Sequence, residues 1–209
     1  MTNNMYCCED MKEHIEKYLS NVGENSMGEI FYNDDILVNY EKQEEWDKSV
    51  EYLNELVDAQ PFHKSTLYRF AALNWYVLTD WDYCMPKDRL DRSLFELGLE
   101  KAYRLAKEKW WDDSHCLWLF GYFMYINPID FTFFSDDIQE VIKQGDSLIT
   151  KAYCDDPNNQ LAEILYLCDH GSKRKYKEVK KKYKEDIAVY FPGQSGVEQY
   201  FIEIFTKSL

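Results

Sequence analysis

The stretch DDIQEVIKQGDSLITKAYCDDPNNQLAEILYLC, residues 136–168, carries the pattern that decides the fold. Its apolar residues recur at intervals of three and four positions, as on one face of a helix. Ile138 and Val141 belong to a first, long segment, and Leu161 and Leu165 belong to a second, shorter and more apolar one. An acidic turn with a proline separates the two segments. We therefore predict two antiparallel helices joined by a short turn.

The same two-part pattern occurs elsewhere in the chain. A long amphipathic segment at 44–61 precedes a more apolar one at 62–78, and a long segment at 89–113 precedes an apolar one at 114–126. A fourth pair runs from Lys173 to the end. Helix pairs of this kind bury their apolar faces on their neighbours and stack into a short solenoid.

The whole chain, 1–209, is predicted to be a single all-α domain of about nine helices. Residues 1–42 would hold an N-terminal helix and an irregular segment, and 43–209 would hold the helix-pair repeats. The predicted helices lie near 6–21, 43–59, 63–79, 88–109, 114–126, 136–154, 158–170, 173–190 and 195–207. The segment 29–40, EIFYNDDILVNY, lacks the helical period and is interpreted as a short strand or an extended arm.

Helix boundaries are indicated by capping residues. Asp113 is predicted to cap the helix that follows it, and Ser135 with Asp136 to cap the next one. Asp156 is interpreted as an N-cap, with Pro157 at the first helical position, where its missing N–H does no harm.

The run KAYCDDPNNQLAEILYL at 151–167 resembles the junction of a tetratricopeptide repeat. In that family a helix ends at an acidic turn with proline and asparagine before an alanine-centred helix. The turn spacing near 45 residues exceeds the 34 of the standard repeat. The resemblance implies stacked helix pairs around a concave groove that could receive a peptide or a client protein.

Charge is distributed unevenly. Residues 1–170 carry 33 acidic and 15 basic side chains, a difference of −18, and residues 171–209 carry 9 basic and 5 acidic, a difference of +4, which together give the net charge of −14. The acidic body should repel nucleic acid and anionic lipid and attract a basic protein. No apolar run reaches the roughly 20 residues of a membrane span, and no secretory signal is recognised. We expect a cytoplasmic protein that binds neither nucleic acid nor membrane.

Signatures of catalysis or of a cofactor are not found in the sequence. It contains no G-x-S-x-G, phosphate-loop, H-E-x-x-H or G-x-G-x-x-G motif. Cys168 and His170 could approach one another, but two ligands do not make a zinc site. The histidine at 115 and the cysteine at 116 are neighbours in a helix and point about 100° apart, so they are no ready nucleophile–base pair. We predict no metal, no cofactor and no enzymatic activity.

Acidic pairs and acidic–aromatic clusters supply the candidate contact residues. Many acidic pairs precede helices and are interpreted as caps, whereas the pair in the 29–40 segment has no clear helix after it. Alternating carboxylates and rings suit an Arg- or Lys-rich surface, although the rings could equally be core. The predicted partner-binding residues are Asp34, Asp35, Asp80, Trp81, Asp82 and Tyr83, with Asp112 and Asp113 next.

The basic run SKRKYKEVKKKYKED at 172–186 could indicate nucleic-acid binding. Its Tyr176, Val179, Tyr183 and Ile187 recur at helical spacing, so the lysines are interpreted as the solvated face of an amphipathic helix. Composition as a whole resembles that of bacterial immunity proteins, which neutralise a basic, nuclease-type toxin domain by binding it, as in contact-dependent inhibition and other polymorphic toxin systems. The alternative is a tetratricopeptide-like adaptor or chaperone.

Overall fold

A computed structural model describes residues 30–83, 85, 90–193 and 195–207. The helix predicted near 6–21 lies outside these residues. Within them the secondary structure is entirely helical, which confirms the all-α prediction. The described helices are α1 (Asp35–Lys42), α2 (Trp46–Ala59), α3 (Lys64–Thr79), α4 (Arg92–Lys109), α5 (Ser114–Ile126), α6 (Ile138–Asp155), α7 (Gln160–His170), α8 (Lys173–Tyr190) and α9 (Gly196–Thr206), with a short 3-10 helix at Pro128–Phe131.

The interpretation of 29–40 as a strand or extended arm was wrong, because residues from Asp35 onward form α1. Asp34 adopts the extended backbone of an N-cap, and its side chain accepts a hydrogen bond from the Leu37 amide at 2.8 Å. Leu37 is fully buried and Val38 nearly so. The short helix is thus fixed by its cap and by tertiary packing rather than by a long apolar period.

Two predicted caps are corrected by one to three residues. Asp137, not Ser135 or Asp136, caps α6 by accepting from the amide of residue 139 at 2.9 Å. Asn159, not Asp156, caps α7. The Asp156 amide still donates to the carbonyl of residue 152, so this residue closes α6 and a turn separates it from the next helix. The predicted cap at Asp113 is confirmed.

The helices stack as pairs. Most consecutive helices pack on each other, and the pairs α2 and α4, α3 and α5, and α5 and α7 pack two positions apart along the chain. These contacts are those of stacked helix pairs. The closest approach joins α5 and α6, where a Cβ added at Gly145 would lie 2.7 Å from the Gly121 carbonyl oxygen. Glycine at both positions therefore lets the two backbones touch.

The last helix, α9, covers the face formed by the apolar helices α3 and α5. Tyr200 packs against Trp75 with ring centroids 5.6 Å apart, and its hydroxyl lies 2.7 Å from the Tyr122 hydroxyl. Phe205 packs edge-on to Trp118 at 5.6 Å. Burial of these rings stabilises the fold by roughly 1.5–3 kcal/mol for each large side chain. Trp75 is fully buried at the centre of this contact.

Candidate protein-binding surface

The eight predicted contact residues fall into two groups near opposite ends of α3. Near its beginning, the Tyr32 amide donates to the Ser65 carbonyl at 3.1 Å, which brings the Asp34–Asp35 pair there, and Lys64 contacts Asp113. Near its end, the α3 helix leads directly into residues 80–83. With a rise of 1.5 Å per residue, the two ends are about 22 Å apart. The eight residues do not form one continuous patch.

Both carboxylate oxygens of Asp34 accept hydrogen bonds from within the fold. Besides the helix amide, its carboxylate accepts from the Tyr32 hydroxyl at 2.6 Å and from the Tyr52 hydroxyl. Burial, and then the neighbouring Asp34 charge, raise the pKa of Tyr52 well above its usual range, so this phenol stays a donor. Asp35, the next residue, is exposed in the first turn of α1.

Asp113 is also held within the fold. Its carboxylate caps α5 through the amides of residues 115 and 116, and accepts from Lys64 Nζ at 2.6 Å and the Tyr68 hydroxyl at 2.9 Å. Burial acts to raise the pKa of Asp113, but the hydrogen bonds and charge of Lys64 and the Tyr68 bond outweigh it and lower the pKa. The adjacent Asp112 is exposed. The hydrogen bonds of Asp113 therefore stabilise the fold, and its carboxylate is not freely available to a partner.

Trp81 is buried, which corrects its assignment as a contact residue. Only 8% of it is exposed, because its ring packs against Phe95 of α4 at 6.1 Å between centroids. The Arg92 guanidinium lies over the same ring at 5.6 Å. Tyr83, two residues later, is 87% exposed. The turn after α3 therefore anchors on Trp81 and presents Tyr83 to solvent.

Two isoleucines extend this exposed surface. The Asn127 side-chain amide donates to the Thr79 hydroxyl at 3.2 Å and so joins the end of α5 to the end of α3. Ile126 and Ile129, on either side of Asn127, are 47% and 56% exposed. We call Asp80, Asp82, Tyr83, Ile126 and Ile129 the end surface. Sequence reasoning missed the two isoleucines, because one continues an apolar helix and gives no sign of exposure.

An ion pair joins the residue after Ile129 to the first residue of α4. Asp130 is 7% exposed and accepts from Arg92 at 2.8 Å and from Asn127 at 2.5 Å. Burial raises the pKa of Asp130 to about 6, although the Arg92 charge opposes the change. Arg92 also bonds Glu96 on the outside of α4 at 2.7 Å. The loop after α5 is thus fixed to the start of α4.

A second buried charge cluster joins α1, α3 and α9. Arg69 is fully buried and donates to Glu41 and, at 2.9 Å, to the Ser195 hydroxyl. Glu198, also fully buried, accepts from the Asn33 side chain at 2.7 Å. Burial raises the pKa of Glu41, and the Arg69 charge only partly offsets it. No spacing in the sequence predicts this cluster, because its members are up to 165 positions apart.

The cysteine and histidine residues considered for chemistry do not converge. His170 bonds Asp146 at 2.8 Å and stacks on Tyr166. Cys168 lies at the exposed end of α7, and Cys116 is buried, with its pKa raised chiefly by burial. Over the described part of the chain, no three histidine, cysteine or acidic side chains are grouped to hold a metal ion. Nor does any helix there combine the length and apolarity needed to cross a membrane.

Comparison with models of protein families, with curated proteins and with solved structures gave no match. The case for function therefore rests on the geometry of this chain alone. Of the surfaces described above, the end surface is the one where exposed aromatic and aliphatic side chains lie beside carboxylates on a fixed support.

Proposed function

We propose that this chain is a non-catalytic protein-binding module whose end surface docks a basic protein. The observation that carries this proposal is the 87% exposure of Tyr83 in the turn after α3, together with the exposure of Ile126 and Ile129 at the end of α5, which a hydrogen bond joins to the end of α3. Trp81 and the ion pair between Arg92 and Asp130 fix the support. Exposed apolar side chains that cluster are typical of interaction sites, and tyrosine is enriched among residues that dominate binding energy.

The charge of the protein determines the kind of partner. Asp80 and Asp82 lie within three residues of Tyr83 in the chain, and the chain as a whole carries −14. Such a field accelerates association with a positively charged protein and disfavours acidic ones. A basic nuclease-type toxin domain has the required charge, so the biological role that we propose is that of an immunity protein.

The alternative, a tetratricopeptide-like adaptor, needs an open groove for its client. Helix α9 packs on the face that α3 and α5 would offer, with Phe201 fully buried and Phe205 almost so. An incoming peptide would have to displace these rings, at a cost of roughly 1.5–3 kcal/mol each. This packing favours binding at the end surface over binding in the groove.

The experiment begins with the tagged chain, which is used to recover and identify its partner from the source cells. Binding of the purified partner is then measured by calorimetry for Asp82→Lys/Tyr83→Ala and for a matched control, Glu55→Lys/Phe62→Ala. Both double variants reverse one exposed carboxylate and remove one exposed ring. The control positions lie on α2 and in the turn before α3, away from the end surface.

We expect the end-surface variant to weaken binding roughly 30-fold or more, since loss of a central aromatic contact typically costs about 2 kcal/mol. The affinity of this variant should also depend less on salt concentration than that of the wild type, because an attractive carboxylate has been replaced by a lysine. The control should bind like the wild type. Equal affinities for both variants would exclude the end surface as the docking site.

A cellular arm distinguishes the two roles. Expression of the partner alone should arrest growth, the wild-type chain should restore it, and the end-surface variant should fail to do so. A partner that is harmless on its own would reject the immunity role and favour the adaptor.

A further inference from the structure

A cavity of about 640 Å³ lies where the end of α7, one side of α8 and the end of α9 meet. Its described lining includes Lys173, Lys177, Lys180, Lys181 and Lys184, and none of the described lining residues is acidic. Small-molecule sites in proteins have volumes of about 300–1,000 Å³. Four of these lysines are exposed, as the solvated-face interpretation predicts, and Lys180 is buried, but all five line one concavity.

The lysines are spaced to act together. Lys173, Lys177, Lys181 and Lys184 recur every three or four residues and so share one side of α8. From the first to the last, the helix rises about 16 Å. These four exposed lysines line the cavity, and within the described residues no carboxylate forms an ion pair with them.

Lys180 provides an independent indication of an anion. It is only 6% exposed, and its ammonium group donates to the Ile204 carbonyl at 2.8 Å, to the Lys207 carbonyl and to the Tyr176 hydroxyl at 3.1 Å. All three acceptors are neutral. Burial accordingly lowers the pKa of Lys180. In the part of the chain that the structure describes, no carboxylate pairs with this buried cation, and an anion in the cavity would supply a counter-charge.

We propose that this cavity binds a small, multiply phosphorylated molecule. Lysine ammonium groups bind phosphate as point charges, and a row of them suits an anion with several phosphates. The Tyr176 ring, also in the lining, offers an apolar surface to an organic part of the ligand. A duplex nucleic acid would extend beyond the cavity over a body that carries −18, which opposes its binding.

Isothermal titration of the full chain with ATP and with inorganic tripolyphosphate tests the site. At least one probe should bind with one-to-one stoichiometry. Tighter binding of ATP would mean that the ring and the organic part interact, whereas tighter binding of tripolyphosphate would mean that the phosphates alone are recognised. A Lys177→Gln/Lys181→Gln variant should weaken binding roughly tenfold or more, because two of the charges that attract the phosphates are removed.

The control is Lys175→Gln/Lys182→Gln, which removes the same charge from the same helix outside the cavity. It should change the affinity by about twofold at most, as expected for screened distant charges. Three results would each overturn the proposal: no binding of either probe at millimolar concentration, an equal loss in the control, or tighter competing binding by duplex DNA or anionic vesicles. None of these bears on the end surface, which uses different residues.

Discussion

Replacing Gly145 by alanine tests how closely α5 and α6 approach. The added Cβ would lie 2.7 Å from the Gly121 carbonyl oxygen and 2.8 Å from the Tyr125 amide nitrogen. Both are backbone atoms of the facing helix, so no side-chain rotation can relieve the contact. The two helices must separate by several tenths of an ångström, and the packing of neighbouring Ile149 and Leu148 separates with them.

The expected change in the free energy of unfolding is the sum of two opposing contributions. Forcing an extra carbon into a packed interior costs typically 1–3 kcal/mol, and contacts with backbone belong near the upper end. Alanine has a higher helix propensity than glycine, and this difference stabilises the helix by about 1 kcal/mol. We therefore expect Gly145→Ala to lower the free energy of unfolding by about 2 kcal/mol.

Urea unfolding followed by far-UV circular dichroism measures this loss. With a urea dependence of about 2 kcal/mol per molar, the midpoint should fall by about 1 M. Gly196→Ala is the control, because its Cβ would meet only the Trp46 ring at 3.5 Å, an ordinary contact. That variant should be as stable as the wild type or slightly more so. If Gly145→Ala proved equally stable, the close helix approach would be refuted.

Two further predictions concern buried charges. Because the pKa of Asp130 is raised from 3.8 to about 6, the folded state retains a proton that the unfolded chain releases. The free energy of unfolding should therefore fall as pH rises from about 4 to 6, and Asp130→Asn should abolish up to about 3 kcal/mol of this decline. Urea unfolding at both ends of the pH range measures it. The same pH dependence in the variant would contradict the raised pKa of Asp130. Arg69→Leu strands the buried Glu41 carboxylate and should cost about 3–5 kcal/mol, and adding Glu41→Gln should recover part of the loss in a double-mutant cycle. Strictly additive losses would show that the two residues are not coupled.

The long helices could be predicted from the sequence because their apolar faces repeat over many turns. Helix α1 could not, since it has only eight residues and depends on distant partners. Tyr52 hydrogen-bonds its cap, and Arg69 bonds Glu41 in its last turn. Neither contact leaves a local pattern. The acidic pair at its start was therefore interpreted as a surface feature when one member is a cap.

The candidate sites show the same limit. Trp81 and Tyr83 have similar surroundings in the sequence, yet one is core and the other is exposed, because the path of the turn after α3 decides which ring meets Phe95. Lys180 did carry a signal, since it lies four residues after Tyr176 and seven before Ile187, on the apolar side of α8. A charged residue at such a position predicts a buried cation, and its spacing could have indicated the cavity.

The placement of α9 has a consequence for how the protein unfolds. In an open repeat array each unit contacts only its neighbours, so the ends fray independently. Here Phe31, at the start of the described chain, packs on Phe191 and Phe201 near its end, and the Ile30 amide donates to the Tyr190 carbonyl. Within the described residues, the segment before α1 and the segment from the end of α8 through α9 therefore stabilise each other. We expect this contact to couple their unfolding, as in a globular domain, so that a substitution that loosens one segment also loosens the other.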